Sequence, residues 1–387
     1  MDTTPGDHVN SARPQRILAV LGTRPEVIKL APVLQCLTED PDCFCIDVIA
    51  VEQQNALLHD ALAEWGIAPA RIVALPESRP LAGSLAACLV PLHEIIKTLR
   101  PDSVLVQGDT LTAFAASLAA SYERRPVAHV EAGLRTVDPR EPFPEEFHRR
   151  LIDTLAWVHY APTDRARNNL LAEGCAADRV SVVGNTVVDA MRRMLGADPG
   201  RAAAPDPPPY RMVVTAHRRE SFGDGIGNIC EALGRLVRER NDLEIVYVLH
   251  SNPEAYQPVR QLLANVDRIR LVRPLLYRDF LSIVASAHVV LTDSGGIQEE
   301  APYLGKPVLV ARTRTERPEA LEQGNAELVG TDPFHIAAAV CRLLDDSDLY
   351  LRRAARIEPF GDGRAAERIR DDLRRRWAQS IRCGEKR

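Results

Sequence analysis

RILAVLGTRPEVIKLAPVL, residues 16–34, decides the fold. After Arg16 the run is apolar and unbroken by polar alternation, the pattern of a strand covered by helices on both faces. Gly22 permits a tight turn, Pro25 suits the first turn of a helix, and a longer helical pattern follows. The same order of apolar run, punctuated turn and helical pattern recurs at 45–51, 103–106, 127–130, 157–161 and 180–183. It returns at 212–215, 245–249, 269–272, 289–291 and 307–310. That is the grammar of βαβ units, and it predicts an α/β chain built on parallel sheets.

Residues 196–209 interrupt the grammar. They are rich in Ala, Pro, Asp and Gly, and Pro207-Pro208-Pro209 can continue neither a helix nor a central strand. The break predicts one domain over 15–190 and a second over 210–364. A chain of 387 residues, 45% apolar, supports two cores of about 150–200 residues each. Residues 1–14 read as a disordered tail. The charged segment 365–382 reads as an amphipathic helix, with Arg374, Arg375 and Arg376 beside Asp371 and Asp372 on a solvated face.

Composition removes several functional classes. With 48 basic and 53 acidic residues, the net charge of -5 offers no field to hold a polyanion, so nucleic acid is not an expected partner. The polar N-terminal segment leads into no secretory or membrane-spanning run, and the expected location is cytoplasmic, with no membrane partner. The eight cysteines form no CxxC pair and no Cys/His metal spacing; they read as reduced, mostly buried thiols, and no metal site is expected.

Ligands of open parallel sheets bind beyond the carboxyl ends of the strands, so the residues after each apolar run carry the functional reading. After the first run come Arg24 and, on the helix it opens, Lys29, an anion site if not a surface charge. The runs at 103–106 and 127–130 are followed by Asp109 and Glu131. Asp109 reads either as a catalytic carboxylate or as a helix N-cap, and Glu131 either as a catalytic carboxylate or as a salt-bridge partner of Arg135. Glu145 and Glu146 follow two prolines at a helix start, where acidic residues also complement the dipole. In the second half His217, Arg218 and Arg219 cluster at a strand end. Ser294, Gly295 and Gly296 turn into a helix whose N–H groups suit phosphate, with Glu300 one turn on and placed for ribose hydroxyls. Neither GxGxxG nor GxxxxGK[ST] occurs, so the fingerprints of NAD binding and P-loop ATP hydrolysis are missing. Carboxylates on one domain and phosphate cradles on the other suit a nucleotide-sugar held across a cleft.

The strings GTRPEVIKLAPV, GDT, HVEAGLRT, PFPEE, GNTVVDA, AHRRESFGDG, LTDSGGIQEEAPYLGKPVLV, TERPEA, LVGTD and PFGDG, in this order, closely resemble the non-hydrolysing UDP-N-acetylglucosamine 2-epimerases, from residue 16 to the C-terminal helix. The resemblance implies a glycosyltransferase-B-like fold, two Rossmann-like domains facing across a cleft, with the last helix (365–387) packing back on the first. It implies interconversion of UDP-GlcNAc and UDP-ManNAc at C2 by anti elimination of UDP and re-addition through a bound 2-acetamidoglucal, with no cofactor and no metal. It implies a homodimer. Asp109, Glu131 and Glu145 match the family's acid/base carboxylates, and His217 the histidine assisting UDP departure. Arg24, Lys29 and Arg135 match substrate-binding cations, and Ser294, Gly295 and Gly296 the phosphate turn. Glu300 matches the ribose contact, Arg317 a phosphate or sugar contact, and Phe280 a residue near uracil.

The sequence also departs from the family. Where many members carry a Gln-His-Arg type segment at a regulatory UDP-GlcNAc site, residues 52–56 read Glu-Gln-Gln-Asn-Ala, so altered or absent allosteric activation is expected. His148 replaces the common Asn after PEE-x, and Leu275 stands where Gln is frequent. A modified UDP-HexNAc therefore stays open as substrate. So does a hydrolysing reaction releasing UDP and ManNAc.

Overall fold

The computed structural model describes residues 13–52, 56–76, 80–136, 138, 140–196, 209–217 and 224–382. The first unit runs β1 (Gln15–Leu21), α1 (Arg24–Thr38), β2 (Phe44–Glu52), α2 (Ala56–Glu64), β3 (Arg71–Ala74), α3 (Leu81–Leu99) and β4 (Ser103–Gln107). It continues α4 (Leu111–Tyr122), β5 (Val127–Val130), α5 (Glu145–Leu155), β6 (Val158–Ala161), α6 (Asp164–Ala172), β7 (Val180–Val182) and α7 (Thr186–Leu195). The second runs β8 (Tyr210–Thr215), α8 (Asp224–Glu239), β9 (Leu243–Val248), α9 (Pro253–Leu263), β10 (Ile269–Val272), α10 (Tyr277–Ala285) and β11 (Val289–Thr292). It ends α11 (Gly295–Tyr303), β12 (Val308–Val310), α12 (Pro318–Glu322), β13 (Ala326–Leu328), α13 (Pro333–Asp345), α14 (Ser347–Arg353) and α15 (Ala365–Arg382).

Both sheets are parallel and Rossmann-like. The first is ordered β3-β2-β1-β4-β5-β6-β7 and the second β10-β9-β8-β11-β12-β13. In each, the strand order reverses beside the first strand, between β1 and β4 and between β8 and β11, where diverging connections open a crevice. The central strands explain why the apolar runs were legible. Ile17, Leu18, Ala19, Val20 and Leu21 are wholly buried, as are Val104, Leu105 and Val106, because helices cover both faces. Two strands escaped the sequence reading: β3, with three of its four residues exposed, and the three-residue edge strand β13. A short edge strand buries little and leaves little pattern.

The C-terminal helix packs on the first unit. Tyr160 Oη donates to Asp372 Oδ2 at 3.1 Å, Arg376 donates to the Asp178 carbonyl at 2.8 Å, and Arg374 pairs with Asp40. Arg374 and Arg376 thus pin the helix to its neighbour, a correction to the expected solvated basic face. The two Asp189 oxygens on α7 accept the Ala365 and Ala366 amides at 3.2 and 2.8 Å, capping the α15 N-terminus across units.

Helix α3 is long and apolar enough, by length and composition, to cross a membrane. It holds Pro91, and Cys88, Leu92, Ile95 and Ile96 lie in the core that it shares with α4. The described cysteines are free; Cys36, Cys88 and Cys230 are buried, whereas Cys43, Cys175 and Cys341 are half-buried and Cys45 is exposed, fewer buried thiols than expected. Cys383, most of the expected tail and nearly all of the 196–209 break lie outside the described residues.

Candidate active site

The carboxyl ends of both sheets face one cleft of 1130 Å³. Arg24, Lys29, Asp109, Glu131, Glu145, His217, Phe280, Ser294, Gly295, Gly296, Glu300 and Arg317 all line it. Of the described sequence candidates, Arg135 and Glu146 are absent from its wall. Gly133, at φ +85°, turns the chain after β5, and Arg135 binds Asp153 Oδ2 at 2.7 Å and both Glu173 oxygens, at 2.9 and 2.6 Å. Arg135 is thus held behind the cleft wall by Asp153 and Glu173, and it is not the partner of Glu131.

Glu131 instead sits in an ion network that joins the two units. Lys29 Nζ lies 2.8 and 2.7 Å from the Glu131 oxygens and 3.0 Å from Glu299 Oε2. Arg317 reaches Glu131 Oε1 at 3.2 Å, Glu299 Oε1 at 2.5 Å and Glu316 Oε1 at 2.5 Å, and Gln107 Nε2 donates to Glu131 Oε2. Burial disfavours the Lys29 ammonium, but Glu131 and Glu299 more than offset it and raise its pKa. Glu131 itself has φ 66°, a left-handed conformation that is costly for a residue with a Cβ and is held here by the surrounding pairs.

Asp109 is not the N-cap of α4; Thr110 is, accepting the Ala113 amide at 3.0 Å. The Asp109 carboxylate pairs with Arg149 at 2.6 Å. Burial alone would raise its pKa, yet Arg149 and Arg317 hold it below the usual carboxylate range. Glu145 differs. It is half-buried at the start of α5 and has no side-chain hydrogen bond or ion pair among the described residues. Glu145, His148 and Arg149 share one face of α5 through their i, i+3, i+4 spacing, so one helix delivers all three to the cleft.

The opposite wall is built for an anion. Ser294 caps α11 without a side-chain hydrogen bond, so the first turn presents its N–H groups to the cleft with the helix dipole behind them. Glycine at 295 leaves room for the buried Arg317 guanidinium, since a Cβ there would lie 2.4 Å from Arg317 Nη1. His217 follows β8; its amide donates to Asp293 Oδ2 at 2.9 Å and its ring stacks on His250 with centroids 4.7 Å apart. Burial and His217 push His250 down to about 4, so that ring is neutral. Arg24 lines the cleft with no hydrogen-bond or ion-pair partner among the described residues, and burial lowers its pKa, as for a cation lacking a close counter-ion. Burial pushes Glu300 up to about 7, and Tyr277 Oη donates to its Oε1 at 2.8 Å. Arg218 and Arg219, and residues 53–55 of the expected regulatory segment, lie outside the described residues.

Sequence reasoning assigned no role to Glu299, Glu316, Arg149, His250 or Tyr277. Glu299, Glu316 and Arg149 stand in the quoted strings or beside them, but their signal was only adjacency, and their partners come from distant segments.

The family model for UDP-N-acetylglucosamine 2-epimerase matches residues 43–374. The Salmonella typhimurium UDP-N-acetylglucosamine 2-epimerase is 42% identical over 370 residues, spanning 93% of this chain and 98% of that protein. The Neisseria meningitidis UDP-GlcNAc 2-epimerase, solved bound to UDP-GlcNAc, superposes with a TM-score of 0.86 at 38% identity, over 93% of this chain and 99% of that one. The Staphylococcus aureus MnaA structure with UDP gives 0.87 at 39% identity, over 94% and 97%. The two facing Rossmann-like units are thus the glycosyltransferase-B-like arrangement of these enzymes. By sequence and by fold, this chain belongs to the UDP-N-acetylglucosamine 2-epimerase family.

Proposed function

We propose that the chain interconverts UDP-N-acetylglucosamine and UDP-N-acetylmannosamine without net hydrolysis. The observation that carries the reading is the division of one cleft into a carboxylate wall, with Asp109, Glu131 and Glu145, and an anion wall, with His217 and the α11 N-terminus. In the forward step a carboxylate takes the C2 proton, the C–H electrons form the C1=C2 bond, and the C1–O bond breaks with its pair leaving on UDP. In the return step UDP oxygen re-forms the bond to C1 while C2 takes a proton from the opposite face. Two faces need two proton-transfer groups, which more than one carboxylate supplies. Asp109, held ionised by Arg149, suits a base, and Glu145, unpaired among the described residues, is the second carboxylate placed to exchange a proton with the sugar. Arg24, His217 and the α11 N–H groups stabilise charge developing on the pyrophosphate, and Phe280 and Glu300 take uracil and ribose. The Lys29–Glu299 and Arg317–Glu131 pairs hold the units together and support exclusion of water from the glycal.

We place the enzyme in the cytoplasm, in keeping with its free thiols, and read it as a homodimer. Ile72 of β3, Leu81 and Val90 of α3 and Tyr122 of α4 are exposed apolar residues on neighbouring elements, available to a second copy.

The test is incubation with UDP-GlcNAc in D2O without added cofactor, followed by proton NMR. UDP-ManNAc carrying deuterium at C2 is expected. Accumulation of free ManNAc with UDP would instead make the enzyme hydrolysing, and retention of the C2 proton would end the elimination mechanism.

A further inference from the structure

His148 occupies the position where the resembled family commonly has Asn, and the reaction as written uses neither of its nitrogens. It lines the cleft and is 3% exposed. Its ring stacks on Phe114 of α4, with centroids 5.2 Å apart and 19° between planes. Its Nδ1 lies 3.0 Å from the Asp109 carbonyl oxygen, and because a carbonyl only accepts, Nδ1 carries the proton. Nε2 is then an acceptor, and it has no hydrogen-bond partner among the described residues. An acceptor in a buried wall beside two acid/base carboxylates lacks what a hexosamine has in abundance, O–H and N–H donors.

We propose that His148 is a substrate-positioning residue whose Nε2 accepts a hydrogen bond from a hydroxyl or the acetamido N–H of the bound sugar. The proposal rests on the nucleotide-sugar reading above. A shorter Asn side chain would keep a donor near the Asp109 carbonyl, where Nδ1 is, and would not reach the Nε2 position; Gln would reach it. Burial lowers the pKa of the ring, against the opposing pull of Asp109 and Glu145, so Nε2 remains an acceptor at neutral pH. Arg149, the next residue, is engaged with Asp109 and Glu146, and Phe114 presents only its ring face.

Calorimetric titration of the full chain with UDP and with UDP-GlcNAc separates the sugar's contribution from the nucleotide's. Wild type is expected to bind UDP-GlcNAc more tightly than UDP. His148→Asn should erase about tenfold of that difference, leave UDP affinity unchanged, and raise KM with kcat little altered. His148→Gln should restore the sugar increment. Lowering the pH should weaken UDP-GlcNAc binding in wild type as the ring protonates, and that limb should vanish in His148→Asn. An unchanged increment in His148→Asn, a loss that Gln does not rescue, or a wild type that binds the two ligands equally would each overturn the assignment. If wild type binds UDP-GlcNAc without turning it over, the epimerase reading fails while the increment still decides the role of His148.

Discussion

Glu26 opens the residue scale because its environment works against its charge. It lies wholly buried in the first turn of α1, accepting from Thr110 Oγ1 at 2.7 Å and from the Gly22 amide at 3.1 Å. Burial outweighs those bonds and pushes its pKa up to about 7. A carboxyl raised in the folded state favours folding fully below its unfolded value, near 4.3, and loses that contribution as pH rises toward about 7, at most about 4 kcal/mol. Glu300, also raised to about 7, adds in the same direction. Denaturant unfolding at pH 5 and pH 8 is expected to show lower stability at pH 8, with the drop clearly smaller in Glu26→Gln. Equal drops in the two proteins would mean that Glu26 ionises normally.

At the scale of elements, α5 and α15 show two ways in which one helix organises distant parts. Helix α5 brings Arg149 onto Asp109 and His148 onto the Asp109 carbonyl, so its register sets the turn after β4 that carries Asp109. The sequence reading reached only the start of this helix, and even its i, i+3, i+4 spacing says which residues share a side and nothing about what the side meets. Helix α15 depends on a cap from another unit. Replacing Asp189 with Ala removes the acceptor of the Ala365 and Ala366 amides and is expected to cost about 1–2 kcal/mol. Hydrogen exchange should quicken first in the opening turn of α15; uniform quickening over the whole chain would assign the loss to global stability instead.

At the scale of the whole molecule, a small number of polar contacts set the closure of the cleft. Glu64, at the end of α2, accepts the Tyr277 and Arg278 amides at 3.0 and 2.9 Å and so caps α10 from the other unit. The capped helix carries Phe280, and Tyr277 Oη holds Glu300, so the capping contact and this wall of the cleft are mechanically linked. Glu64→Ala is expected to enlarge the radius of gyration of the ligand-free protein in small-angle scattering, with UDP-GlcNAc restoring the wild-type value. An unchanged radius would leave closure to the other contacts between the units, among them the buried Lys29–Glu299 and Arg317–Glu131 pairs and the Thr163–Glu319 hydrogen bond. Those pairs are nearly shielded from solvent, so added salt should screen them weakly.

The amino-acid sequence by itself determined the two series of parallel strands, the turns that end them and twelve of the residues that line the cleft. Central strands declare themselves through local runs of Val, Ile and Leu, and ligands of such sheets meet the strand ends. Strands β3 and β13 were not determined in this way, because short edges bury too little to impose a pattern. Only the tertiary structure decided the pairing of charges. Arg135 follows Glu131 closely in the chain yet turns to Asp153 and Glu173, whereas Lys29 and Arg317, from opposite ends of the chain, converge on Glu131. Hydrophobic periodicity is a local property of the chain; which cation neutralises which carboxylate depends on distance in space, set by strand order and by how the two sheets face.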